Sequence, residues 1–163
     1  MVYLMKITWQ FLFAHPAHFL ALGFGSGLSP KAPGTVGTIA SIPIWLWLAE
    51  QSLLFQSVFL AATFFIGIYF CDKTGKDLGV QDHGAIVWDE FVGFWLTMMF
   101  APAGFLWLLV GFFLFRLFDI WKPWPINYLD KHVHGGLGVM LDDVLAGVFA
   151  GLLLYLVSIF VTF

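Results

Sequence analysis

The chain has 163 residues, enough for one domain (1–163), and 61% of them are apolar while only 10% are charged, against near 45–50% and about 25% in soluble domains. Seven Lys and Arg against ten Asp and Glu leave a net charge of −3, which excludes nucleic acid as a partner, and one cysteine, Cys71, excludes an internal disulfide or a cysteine-built zinc site. The composition is that of an integral membrane protein, with membrane lipid as its surroundings.

In chain order, residues 3–14 carry Trp9, Phe11, Leu12 and Phe13 and predict a short interfacial helix limited by Pro16. Residues 23–37 hold five glycines, Gly23 among them, and two prolines, and read as an ordered loop. Thr35 is placed to cap a helix running through Ile39, Ile42, Ile44, Trp45 and Leu48. After a polar turn at 50–52, residues 53–70 are uncharged and long enough for a transmembrane helix. The chain turns polar over 72–82. Residues 85–100 and 105–121 predict two helices joined by a turn at 101–104, a tight hairpin, with one long kinked helix as the alternative. Lys122-Pro-Trp-Pro stops the second. A polar loop with Asn127, Asp130, Lys131, His132 and His134 leads to Asp142 and Asp143, which open a last helix over 144–161.

The reading is thus an all-α membrane protein of about five hydrophobic helices with a Gly/Pro-rich N-terminal loop. With the hairpin, the loops carrying Lys31, Lys73, Lys76, Lys122 and Lys131 fall on one side, and the turns near Gln51 and Pro102 have no Lys or Arg. The positive-inside rule puts the lysine side in the cytoplasm. Asp89, Glu90, Asp119, Asp142 and Asp143 collect on that same side.

Two adjacent acid pairs in so uncharged a chain need a cation, a partner or a task, since an ionised group costs roughly 2.5–3.5 kcal/mol at a bilayer centre. Carboxylates from two helix starts suit a hard divalent cation such as Mg2+. The plainer alternative is that they complement helix dipoles. The 23–37 loop resembles a phosphate cradle, with Ser29, Lys31 and Thr35 as donors, though it lacks the Walker ending. Arg116, Asp119 and Lys122 at i, i+3 and i+6 either pair among themselves or present cations to a phosphomonoester. His83 and His134 are candidate acids or bases, and His15, His18 and His132 are assigned to the interface or loops. No Asp-x-Asp, cysteine-phosphatase or Ser-His-Asp pattern is present.

Gly-Ser-Gly-Leu-Ser-Pro (25–30) with Pro33-Gly34-Thr35, the block 82–93, Phe-Arg-Leu-Phe-Asp-Ile-Trp-Lys-Pro-Trp-Pro (115–125) and His-Gly-Gly-Leu-Gly-Val-Met-Leu-Asp-Asp (134–143) together resemble the phosphatidylglycerophosphatase A family. The resemblance spans nearly the whole chain. It implies an all-α, Mg2+-dependent enzyme of the bacterial inner membrane with a cytoplasm-facing site. Its substrate would be phosphatidylglycerophosphate, its products phosphatidylglycerol and inorganic phosphate. On this reading Asp89, Glu90, Asp142 and Asp143 hold one or two Mg2+, and Lys31, Arg116 and Lys122 receive the phosphate while Asp119 orients one of those cations. His83 or His134 protonates the leaving oxygen; the nucleophile is water, with the Asp89 carboxylate as rival. A small cation channel or transporter and a broader lipid-phosphate phosphatase are the alternatives. The sequence carries no signature of oligomeric state.

Overall fold

The computed structural model describes residues 7–161, and all regular structure among them is helical. Two short helices, α1 (Trp9–Ala14) and α2 (Pro16–Ala21), lead into a 3-10 turn at Gly23–Leu28. Then come α3 (Pro33–Leu48), α4 (Leu53–Leu78), α5 (Trp88–Met98), α6 (Phe105–Trp121), the short α7 (Ile126–His132) and α8 (Gly135–Phe160). Residues 3–6 of the expected first helix lie outside the described residues.

The hairpin is present: α5 and α6 are separate helices, broken at 101–104 and packed through Phe94 on Phe112 and Phe115. Several other boundaries differ from expectation. α4 does not stop at residue 70, because Asp72–Lys76 and Lys73–Asp77 pair at i,i+4 and carry the helix through the polar stretch. It ends where Gly79 takes φ 75°, a left-handed cap that glycine adopts without strain. α3 begins at Pro33, with Ala32 as its cap residue, so Thr35 lies inside the first turn and caps nothing; proline's fixed φ and missing N–H suit that first position. His18 lies in α2 and not in a loop, and it is buried, with Nδ1 3.1 Å from the Phe11 carbonyl and Nε2 2.8 Å from Asp77.

The largest shift is at α8, which starts at Gly135 and not at 144. Its glycines, read as loop, are a close helix crossing. A Cβ on Gly136 would run into the Ile68 carbonyl and stand 2.7 Å from the Asp72 amide nitrogen. Gly136→Ala should therefore force α4 and α8 apart, costing about 1–3 kcal/mol, read as a lowered thermal midpoint. An unchanged midpoint would mean that α4 and α8 can separate at this crossing without cost.

α5 is the centre. Of Trp88–Met98, all but Leu96 are buried, and side chains from α5 tie it to three neighbours. Trp95 Nε1 donates to the Ser41 carbonyl of α3 (3.1 Å), Trp88 Nε1 to the Thr63 carbonyl of α4 (3.1 Å), and Thr97 Oγ1 to the Gly147 carbonyl of α8 (3.3 Å). α8 passes close along α5, with Gly147 against Gly93 and Gly151 against Phe100, so the two run parallel. α4 and α6 run the other way, Gly67 meeting Met140 and Gly111 meeting Met98. The starts of α3, α5 and α8 and the ends of α4 and α6 therefore share one end of the bundle.

Two helices, α4 and α8 at 26 residues each, are long and apolar enough to cross a membrane. α5, at 11 residues, covers only about 16 Å of a roughly 30 Å hydrocarbon core. Large apolar side chains face outward on four of the longer helices, among them Leu46 and Trp47, Phe65 and Ile66, Phe113 and Leu117, and Leu152 and Leu156.

Candidate functional site

At the shared end, Asp89 and Glu90 lie in the first turn of α5, where negative charge meets the helix dipole. Asp142 and Asp143 do not open a helix. They sit in the third turn of α8, so the dipole gives no reason for them. All four are buried, from 3% exposed at Asp143 to 9% at Glu90.

The two pairs divide three to one. One carboxylate oxygen from each of Asp89, Glu90 and Asp143 lies within 4.8 Å of the others. Asp89 Oδ1, Glu90 Oε2 and Asp143 Oδ2 are buried with no hydrogen-bond partner among the described residues. Three buried carboxylates this close, each with an unsatisfied oxygen, are costly without a cation and match the donor preference of Mg2+ or a similar divalent ion. Asp142 lies outside this group and pairs through Oδ2 with Lys122, whose ammonium also lies 2.6 Å from Asp130 Oδ1; the Asp142 Oδ1 is likewise buried with no hydrogen-bond partner among the described residues. Burial alone would push the Lys122 pKa down, but Asp142 and Asp130 hold it well above the usual lysine range.

Arg116, on α6, projects over the acids. Its Nη1 lies 3.8 Å from Glu90 Oε1 and pairs with Asp119. The expected alternative of mutual pairing among Arg116, Asp119 and Lys122 is half realised: the first two pair, and Lys122 goes to Asp130 and Asp142. Gly34 makes the arrangement fit, since a Cβ there would collide with Glu90 Oε1 and stand 3.1 and 3.2 Å from the Arg116 terminal nitrogens.

The remaining predicted residues surround this centre less closely. Thr35 is half-buried beside Gly34, Lys31 is exposed just before α3, and the Ser29 hydroxyl donates to the Lys31 carbonyl at 2.9 Å. His83 is half-buried, and its Nδ1 accepts the Ala85 N–H at 3.1 Å. His134 is exposed before α8, on a small pocket of 60 Å³ shared with Asp82 and Asp130. Sequence reading passed over Gly34 and Asp130. The Pro-Gly-Thr run was the available sign for Gly34; nothing marked Asp130, whose partner Lys122 is eight residues away across a turn.

The family model described as Phosphatidylglycerophosphatase A matches residues 19–158. A relative of that name from Escherichia coli is 48% identical over 146 residues, covering 89% of this chain and 85% of the relative. One of the same name from Haemophilus influenzae is 46% identical, covering 88% and 90%. A Bacteroides thetaiotaomicron protein described as a candidate phosphatidylinositol-3-phosphatase is 38% identical, covering 83% and 89%. No solved structure matches the chain.

Proposed function

The chain belongs to the phosphatidylglycerophosphatase A family and is a phosphatase, and on that premise we propose that it removes the terminal phosphate of phosphatidylglycerophosphate in a Mg2+-dependent reaction. The observation that carries the metal dependence is the trio of buried, unsatisfied carboxylate oxygens on Asp89, Glu90 and Asp143. These three would hold the ion, which when bound supplies charge neutralisation at the phosphate and acidifies water.

The chain's own groups divide the rest. Arg116, steered by Glu90 and Asp119, offers its guanidinium to the phosphate oxygens. Ser29, Lys31 and Thr35, at the entry to α3, flank the same place. Lys122 holds Asp142 in position between the site and Asp130, so its role is to orient and not to take the phosphate directly. His83 suits a donor to the leaving glycerol oxygen: Nδ1 accepts from Ala85, which leaves Nε2–H as the nitrogen free to donate. His134 is the other candidate for that role.

The outward apolar side chains and the two long helices support a place in a bacterial inner membrane. Lys31, Lys73, Lys76, Lys122 and Lys131 flank the acid-bearing end, and the turns at the other end have no Lys or Arg, which supports a cytoplasm-facing site.

Purified protein should release phosphate from phosphatidylglycerophosphate with Mg2+ and stop with a chelator. No release under either condition from folded protein would discard the reading and bring a cation pathway forward. The Bacteroides relative favours one second reading, a broader lipid-phosphate phosphatase, so phosphatidylinositol 3-phosphate belongs in the same assay.

A further inference from the structure

Below the acid cluster, α3 and α6 both pack on α5 but scarcely on one another. The gap between them is a groove of 760 Å³. Ile42 and Leu46 of α3 form one wall, Leu109 and Phe113 of α6 the other, and Met98 and Met99 at the end of α5 the floor. No charged side chain lines it, and Gln56 is its one amide.

The groove and the acid cluster lie along one seam. The same three helices that bound the groove supply Gly34, Glu90 and Arg116 at its upper end. Arg116 is one helical turn beyond Phe113, and Ile39, the first α3 residue in the groove, is about one turn past Thr35. From Gly34 to Ala49 α3 rises about 22 Å, somewhat more than one leaflet of a roughly 30 Å hydrocarbon core. An anionic head group held at Arg116 would thus have an uncharged, chain-length channel directly beneath it.

We propose that this groove receives an acyl chain of the same phospholipid whose phosphate lies at the acid cluster. The inference rests on the phosphatase reading and adds the site that recognises the lipid's hydrocarbon part. The adaptable thioethers of Met98 and Met99 suit a floor that accepts chains of differing shape. Binding there fixes the depth at which the head group stands, so a long-chain substrate presents its phosphate to Arg116 already positioned.

The test compares kcat/KM for phosphatidylglycerophosphate carrying two oleoyl chains with that for the dihexanoyl form. Ile39→Trp and Leu109→Trp narrow the groove from opposite walls; both positions are exposed, at 52% and 38%, so little packing is lost. Leu152→Trp on α8, 47% exposed and outside the groove, is the control. The long-to-short ratio should fall about tenfold in each groove variant and keep its wild-type value in Leu152→Trp. A ratio unchanged in the groove variants, or lowered equally in the control, overturns the proposal and leaves the groove to bulk lipid.

A second arm does not need turnover. Phosphatidylglycerol with a mid-chain diazirine, photolysed with wild-type protein in vesicles, should label residues 98–113 preferentially. Labelling spread evenly over the outward faces of α4 and α8 would overturn the acyl site. If wild-type protein releases no phosphate from either substrate, the phosphatase reading fails, and this labelling pattern alone decides whether the groove takes a phospholipid chain.

Discussion

Asp143→Asn should lower phosphate release on the order of 10³-fold and at the same time raise the melting temperature of the metal-free protein. Both effects have one origin. The Asp143 carboxylate is 3% exposed, one of its oxygens has no partner, and it faces two more carboxylates within 4.8 Å. In the absence of a cation that grouping opposes folding, and an amide of the same shape relieves it. Mg2+ should stabilise the wild-type protein, by about 2.7 kcal/mol at a hundred times its dissociation constant, and stabilise the variant far less. Asp89→Asn should behave alike. Equal stabilisation of wild type and variant by Mg2+ would remove the trio as the cation site. Asp142→Asn differs, because Asp142 answers Lys122: it should lose activity without losing the Mg2+ response.

Arg116→Ala should reduce turnover about 10²- to 10³-fold and also destabilise the fold by about 3–5 kcal/mol, since Glu90 and Asp119 are left as buried charges without their cation. Two further variants separate these losses. In Arg116→Ala/Asp119→Ala one orphaned carboxylate is gone, so much of the melting temperature returns while turnover stays low. Arg116→Lys keeps the charge but not the planar fork that grips two phosphate oxygens, so stability recovers more than kcat. Full turnover in Arg116→Lys would reduce the residue to a structural counter-ion.

Much of this arrangement is legible in the sequence because charges are so few. Asp89-Glu90 and Asp142-Asp143 stand out in an apolar chain, and keeping both pairs on one side favours a hairpin over a single long helix, as the break at 101–104 bears out. The misreadings share a cause. Glycine marks a loop when it supplies backbone freedom, yet at Gly136 and Gly34 it supplies room, one for a neighbouring helix and one for a carboxylate and a guanidinium. Local pattern does not distinguish these uses, so the sequence alone predicts α8 nine residues late, with Asp142 and Asp143 at its mouth. The Lys122–Asp130–Asp142 and His18–Asp77 contacts join distant positions, which spacing along the chain does not reveal.

The position of Asp143 on α8 bears on how the protein comes into being. α8 follows every other helix described, and it both closes over α5 and brings the third carboxylate. Until α8 docks against Gly93, Asp89 and Glu90 stand without Asp143, so on the proposed reading the cation site is incomplete. Under that proposal a chain whose α8 has not docked should neither respond to the cation nor release phosphate, because α8 completes the core and the proposed site together.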